Sequence, residues 1–103
     1  MANKEALEMN IRRLVLDVDK AISKPAVTEL AEAICRVAGV EAVNITVTEI
    51  DIETVGFNVT IEGENISYPD LLQAIELTGA AVHSIDQLVA GSRIVEEIKR
   101  GRT

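Results

Sequence analysis

Residues 43–61 have the sequence VNITVTEIDIETVGFNVTI, which alternates apolar and polar side chains for most of its length. A period of two is typical of a β-strand with one buried face. The alternation runs through residues 43–47, is interrupted at residues 49–53, and resumes through residues 55–61. This segment therefore predicts two antiparallel strands joined as a β-hairpin.

Two further strands are predicted at the ends of the sequence. Residues 11–18 alternate with Leu14, Leu16 and Val18 on one side, which predicts a half-buried first strand. Residues 81–89 are mostly apolar and predict a last strand, whose facing the pattern leaves open.

Two segments with the residue spacing of helices connect these strands. Pro25 suits the first turn of a helix, and the apolar stripe that follows predicts a helix to about Ala38, closed by Gly39. The sequence Ser-Tyr-Pro-Asp at 67–70 resembles a capping box and predicts a second helix that ends at Gly79.

The predicted order is βαββαβ. Right-handed crossovers place both helices on one face of a four-stranded antiparallel sheet, which is the ferredoxin-like α+β sandwich. A chain of 103 residues has room for a single core, so residues 1–103 are expected to form one domain. Residues 1–9 would be an N-terminal extension, and residues 92–103 a short C-terminal helix and tail.

The composition restricts the partners. The net charge of −7 repels phosphate backbones and anionic lipids, so neither nucleic acid nor a membrane surface is expected to bind. No apolar run approaches the ~20 residues of a membrane span. The single cysteine, Cys35, cannot form an internal disulfide and is expected to pack beside the apolar stripe of the first helix. These features predict a cytoplasmic protein.

The polarity is inverted at the tip of the predicted hairpin. Glu49, Asp51 and Glu53 occupy the parity of the inward residues, whereas Ile50 and Ile52 take the polar side. One interpretation is that the hairpin projects past the helices, leaving the carboxylates in solvent and the isoleucines against a second subunit. The alternative is a tight turn with solvated charges.

The same three carboxylates, Glu49, Asp51 and Glu53, are candidate ligands for Ca²⁺ or Mg²⁺, which prefer oxygen donors. Asp17, Asp19 and Asp86 form an alternative set of oxygen ligands. Their spacing is not that of a dedicated calcium loop, so an ordinary acidic surface is the alternative. No other cofactor is predicted.

His83 is the one histidine, and the antiparallel pairing of the first and last strands should bring it close to Asp17. Asp17, His83 and Asp86 are therefore candidate ligand-binding residues, since an imidazole beside a carboxylate is a minimal metal-ligand or acid–base pair. The alternative is a surface histidine hydrogen-bonded to a neighbouring aspartate.

Three segments together carry a family resemblance: residues 11–18 (IRRLVLDV), residues 39–51 (GVEAVNITVTEID), and residues 83–86 (HSID) followed by 89–91 (VAG). They resemble an archaeal family filed as domain of unknown function 211. The resemblance implies a ferredoxin-like subunit that assembles into rings or larger homo-oligomers, with no established activity.

Three functions follow as hypotheses. The first is a homo-oligomeric binding or regulatory module with a small ligand or divalent cation between subunits. The second is a structural or protein-partner assembly subunit. The third is an enzyme using His83 with Asp17 or Asp86. A copper chaperone is excluded, because residues 19–24 lack the Cys-x-x-Cys motif.

Overall fold

The structure, a computed structural model, describes residues 9–99. These residues form four strands and two helices in the predicted order, which confirms the ferredoxin-like α+β architecture. The strands pair antiparallel in the spatial order β2-β3-β1-β4. The elements are β1 (Ile11–Ala21), α1 (Val27–Cys35), β2 (Val40–Ile50), β3 (Thr54–Gly63), α2 (Tyr68–Thr78) and β4 (Ala81–Ala90).

The core lies between the two helices and one face of the sheet. Leu14, Leu16 and Val18 are fully buried there, as the alternation in β1 predicts. The opposite sheet face, which carries Asp17 and Asp19, is called the open face below. The other fully buried side chains of the core are Leu30, Ile34, Phe57, Val59, Ile61, Leu71 and Ile75.

The ends of α2 follow the local signals in the sequence. Ser67 is the N-cap, and its Oγ accepts a hydrogen bond from the backbone N–H of Asp70. Gly79 ends the helix with a φ of 102°, a left-handed conformation that glycine adopts without steric cost. Within residues 9–99, no helix is both long and apolar enough to cross a bilayer.

Helix α1 departs from the prediction at its C-terminal end. It ends at Cys35, before the expected Ala38, and Cys35 is exposed instead of packed. The reason is the position of Cys35 around the helix axis. Leu30 and Ile34 form the buried side of α1, and Cys35 lies about 100° around the helix from Ile34.

A β-bulge explains the inverted polarity at the hairpin tip (residues 49–54). Val47 pairs with Phe57, but Glu49 pairs with Gly56, so one extra residue is inserted into β2. Because a shift of one residue moves side chains to the opposite face, Glu49 joins the open face. The interpretation that the helix-facing side carries the carboxylates is therefore wrong, whereas the tight turn is present at residues 51–53.

The short helix predicted after Gly91 is absent from residues 92–99, which have no helical structure. Two arginines of β1 hold this C-terminal segment in an irregular path. Arg12 donates to the backbone carbonyls of Gly91 and Ser92, both at 2.8 Å. Arg13 contacts both carboxylate oxygens of Glu96, at 2.9 and 3.1 Å. These tertiary contacts compete with a helix too short to be stable alone.

A polar pocket on the open face as the candidate functional site

A pocket of about 290 Å³ lies on the open face near the hairpin tip. All four strands contribute to it, so the sheet itself fixes the relative positions of the side chains. Three carboxylates and one imidazole are among the side chains that line this pocket. The lining residues are Asp17, Asp19, Thr48, Glu49, Thr54, Gly56 and His83.

One row of paired residues forms the floor and two sides of the pocket. Asp19 of β1 pairs with Gly56 of β3, and Gly56 pairs with Glu49 of β2. Adjacent strands are about 4.8 Å apart, so the backbones of Asp19 and Glu49 lie ~10 Å apart across Gly56. Because glycine has no side chain, the space between the two carboxylates stays open. The bulge in β2 is what brings Glu49 into this row.

His83 enters the pocket from β4 at another bulge. Asp17 pairs with Ser84 and Val18 pairs with Val82, so His83 is the extra residue between them. Its Nε2 lies 2.7 Å from Oδ2 of Asp19. The side chains are 57% and 34% exposed for His83 and Asp19, respectively, so the pair remains in contact with water.

The hydrogen bond that the His83 imidazolium donates to Asp19 raises the pKa of His83 above its usual 6.5, and the negative charges of Asp19 and Asp17 act in the same direction. The imidazole is therefore protonated over a wider pH range than a free histidine. An imidazolium beside three carboxylates leaves the pocket with a net negative charge at neutral pH.

The structure brings some of the predicted ligand-binding residues together. Asp17 and His83 both line the pocket, although His83 hydrogen-bonds Asp19 and not Asp17. Asp86 does not line it; Oδ1 of Asp86 instead accepts a hydrogen bond from Oγ of Ser84 at 2.7 Å.

The predicted metal-ligand set does not assemble as a unit. Glu49 lines the pocket, whereas Asp51 accepts a hydrogen bond from the backbone N–H of Ile52 in the turn at 2.7 Å. The backbone carbonyl of Glu53 accepts from Ile22, which ties the turn to the end of β1. In the part of the chain that the structure describes, no three His, Cys, Asp or Glu side chains are grouped to hold one metal ion.

The two isoleucines of the hairpin tip are on the surface. Ile50 is 72% exposed and pairs with Val55 on the helix-facing side, while Ile52 in the turn is 90% exposed. Their predicted role at an oligomer interface stays a prediction.

Sequence reasoning did not select Thr48, Thr54 or Gly56 as site residues, and it named Asp19 only as an alternative oxygen ligand beside Asp17 and Asp86. Gly56 carried a usable signal, because a glycine inside a strand often marks a bulge or a place where another molecule approaches the backbone. The contact between Asp19 and His83 carried no such signal, because it depends on the bulge in β4.

Comparison with known proteins gives a similar protein and a matching family. The chain is 44% identical over 89 residues to "Uncharacterized protein MJ0319" of Methanocaldococcus jannaschii, a match that covers 86% of this chain and 91% of that protein. The model of the DUF211 family, described as "Uncharacterized ArCR", matches residues 12–102. This chain therefore belongs to the DUF211 family of uncharacterised proteins.

Proposed function

We propose that this protein is a binding module for a small, positively charged organic ligand, and that the ligand occupies the open-face pocket. The observation that carries the proposal is the meeting of Asp17, Asp19 and Glu49 around one cavity with a glycine floor. A volume of about 290 Å³ suits a small molecule, since typical ligand sites begin near roughly 300 Å³.

The charge of the pocket selects a cation. Three carboxylates face at most one imidazolium, and the whole protein carries a net charge of −7, so both the local and the long-range field attract positive ligands. The hydroxyls of Thr48 and Thr54, which also line the pocket, add hydrogen-bond acceptors. An ammonium group, which donates three hydrogen bonds and accepts none, matches this set of acceptors.

An organic cation fits the geometry better than a metal ion. Calcium and magnesium take about six or more oxygen ligands in close contact with the ion. Here two of the carboxylates lie on strands separated by Gly56, and no three acidic or histidine side chains of residues 9–99 are grouped around one point. A ligand with some length can span this gap.

Binding is favoured over catalysis because the pair of His83 and Asp19 is open to water. General acid–base catalysis is most effective where the site closes around the reacting groups and excludes solvent. With its side chain 57% exposed, His83 is available to a ligand but is not enclosed.

A matched pair of probes tests the proposal. The dication 1,4-diaminobutane should raise the melting temperature and bind saturably, whereas the uncharged 1,4-butanediol of similar length should do neither. A shift produced only by CaCl₂ or MgCl₂ would contradict an organic cation as the ligand and would restore the metal hypothesis.

Replacing Gly56 by valine should abolish binding of 1,4-diaminobutane without unfolding the protein. A Cβ at this position meets Thr48 Oγ1 at 3.5 Å and Glu49 Cβ at 3.6 Å, which are ordinary contacts, so the strand accepts it. The rest of the valine side chain fills the space between the carboxylates. Calorimetric titration measures the loss, and Thr60→Val, on the same strand and face but outside the pocket, is the control. Equal affinity of the two variants for 1,4-diaminobutane would show that this ligand does not bind in the pocket.

A second candidate function is assembly, because the hairpin tip exposes Ile50 and Ile52. A patch of exposed apolar side chains is typical of a surface that contacts another subunit. On this proposal the module works as a homo-oligomer joined through the hairpin tip.

Ile50→Asp is expected to lower the oligomer mass, because a carboxylate would have to be buried in the interface without a partner. Native mass spectrometry measures the change. Gln73→Asp adds the same charge on the exposed side of α2 and serves as the control. An unchanged mass in Ile50→Asp would show that this residue is not in an interface.

A further inference from the structure

The ligand pocket already holds one positively charged group of the protein itself. The imidazole of His83 contacts Asp19 at 2.7 Å, and Asp19 is one of the carboxylates that face the cavity. When protonated, His83 occupies an acceptor that an incoming ammonium group would also use. The protein's own side chain and the ligand therefore compete for the same oxygen.

The charged groups that share the pocket with His83 come from two other strands, β1 and β2. Asp17 and Asp19 of β1 and Glu49 of β2 line the same pocket. Strand β3 contributes only Thr54 and Gly56, which do not titrate.

Strand β4, which carries His83, has one acidic side chain of its own. This is Asp86, whose Oδ1 accepts a hydrogen bond from Ser84. His83 is thus the group of this pocket whose ordinary titration range is closest to neutral pH.

We infer that His83 is a proton-operated gate: its imidazolium occupies Asp19 at low pH, and loss of the proton frees this carboxylate for the cationic ligand. The inference rests on the proposed function, because it assigns a mode of regulation to the same pocket.

The direction of the pH dependence follows from linkage. Contact with Asp19 raises the pKa of His83 in the free protein, and a positively charged ligand beside it would lower that pKa again. Ligand binding must therefore release a proton, and by reciprocity the affinity rises with pH. Where ligand and proton exclude each other, affinity falls by up to about tenfold per pH unit below the pKa of His83.

Calorimetric titration with 1,4-diaminobutane at about pH 6 and about pH 8.5 tests the gate. The wild-type protein should bind at least about fivefold more weakly at the lower pH and should release protons, measured by repeating the titration in buffers of different ionisation enthalpy. His83→Gln keeps a hydrogen-bond donor near Asp19 but does not titrate. The affinity of this variant should therefore differ by less than about twofold between the two pH values.

The possible outcomes distinguish a failure of the His83 gate from a failure of the proposed binding site. Equal wild-type affinity at both pH values, with no proton release, overturns the gate and leaves the pocket as a binding site. The same pH dependence in His83→Gln as in wild type also overturns the gate, because another group would then carry the effect. Absence of saturable binding in both proteins at the higher pH overturns the proposed function and the gate together. His83 is exposed, and a thermal melt of His83→Gln checks that the fold is intact.

Discussion

Gly63→Ala is expected to lower the free energy of unfolding by about 3 kcal/mol or more. A Cβ on Gly63 would lie 1.8 Å from the carbonyl oxygen of Gly39 and 3.0 Å from the backbone nitrogen of Glu41. These atoms belong to the backbone at the start of β2, where Glu64 N–H also donates to the same Gly39 carbonyl at 2.9 Å. The two strands would have to separate to admit one methyl group.

Gly56→Ala is the matched control, because it introduces the same methyl group into the same strand without a clash. Alanine also loses less backbone entropy than glycine on folding, so this variant should be unchanged or more stable by roughly 0.5–1 kcal/mol. Urea unfolding of both variants at one fixed protein concentration measures the difference. A Gly63→Ala variant within about 0.5 kcal/mol of wild type would contradict the close approach of Gly39 and Gly63.

Phe57→Ala is expected to destabilise the protein by about 3–5 kcal/mol. Phe57 is the one phenylalanine of the chain, is fully buried, and pairs with Val18 on one side and Val47 on the other. With aliphatic neighbours filling the rest of the core, truncating this ring leaves a cavity that the structure cannot close without moving a strand.

Phe57→Leu separates the cavity from other effects of the substitution. It retains most of the apolar volume and should cost less than half as much as Phe57→Ala. Denaturant unfolding with a shared slope for all three proteins gives the comparison. Equal losses for the two variants would mean that the volume of the ring at this position is not what stabilises the core.

The parts of the fold that could be predicted depend on local chemistry. Alternation in β1 and in the hairpin gave the core faces correctly, because burial on one side of a pleated strand imposes a period of two. Ser67 and Gly79 marked the ends of α2, since capping depends on residues within one turn of the helix.

The parts that could not be predicted depend on contacts between distant residues. The bulges in β2 and β4 are properties of strand pairs, and neither was predicted from the sequence, yet they move Glu49 and His83 into the pocket. The sequence therefore indicated His83 but selected Asp17 as its partner instead of Asp19. Likewise, the C-terminal segment follows Arg13 and Glu96, which are far apart in the sequence.

The proposed binding site is tested most directly by an NMR titration of ¹⁵N-labelled protein with 1,4-diaminobutane, recorded above the pKa of His83. Binding in the open-face pocket predicts saturable shifts confined to the amides of the seven residues that line it and to the imidazole of His83. It also predicts that these shifts are absent with 1,4-butanediol and in the Gly56→Val variant. Shifts located elsewhere, or the same shifts with the uncharged diol, would contradict a cation site at this pocket.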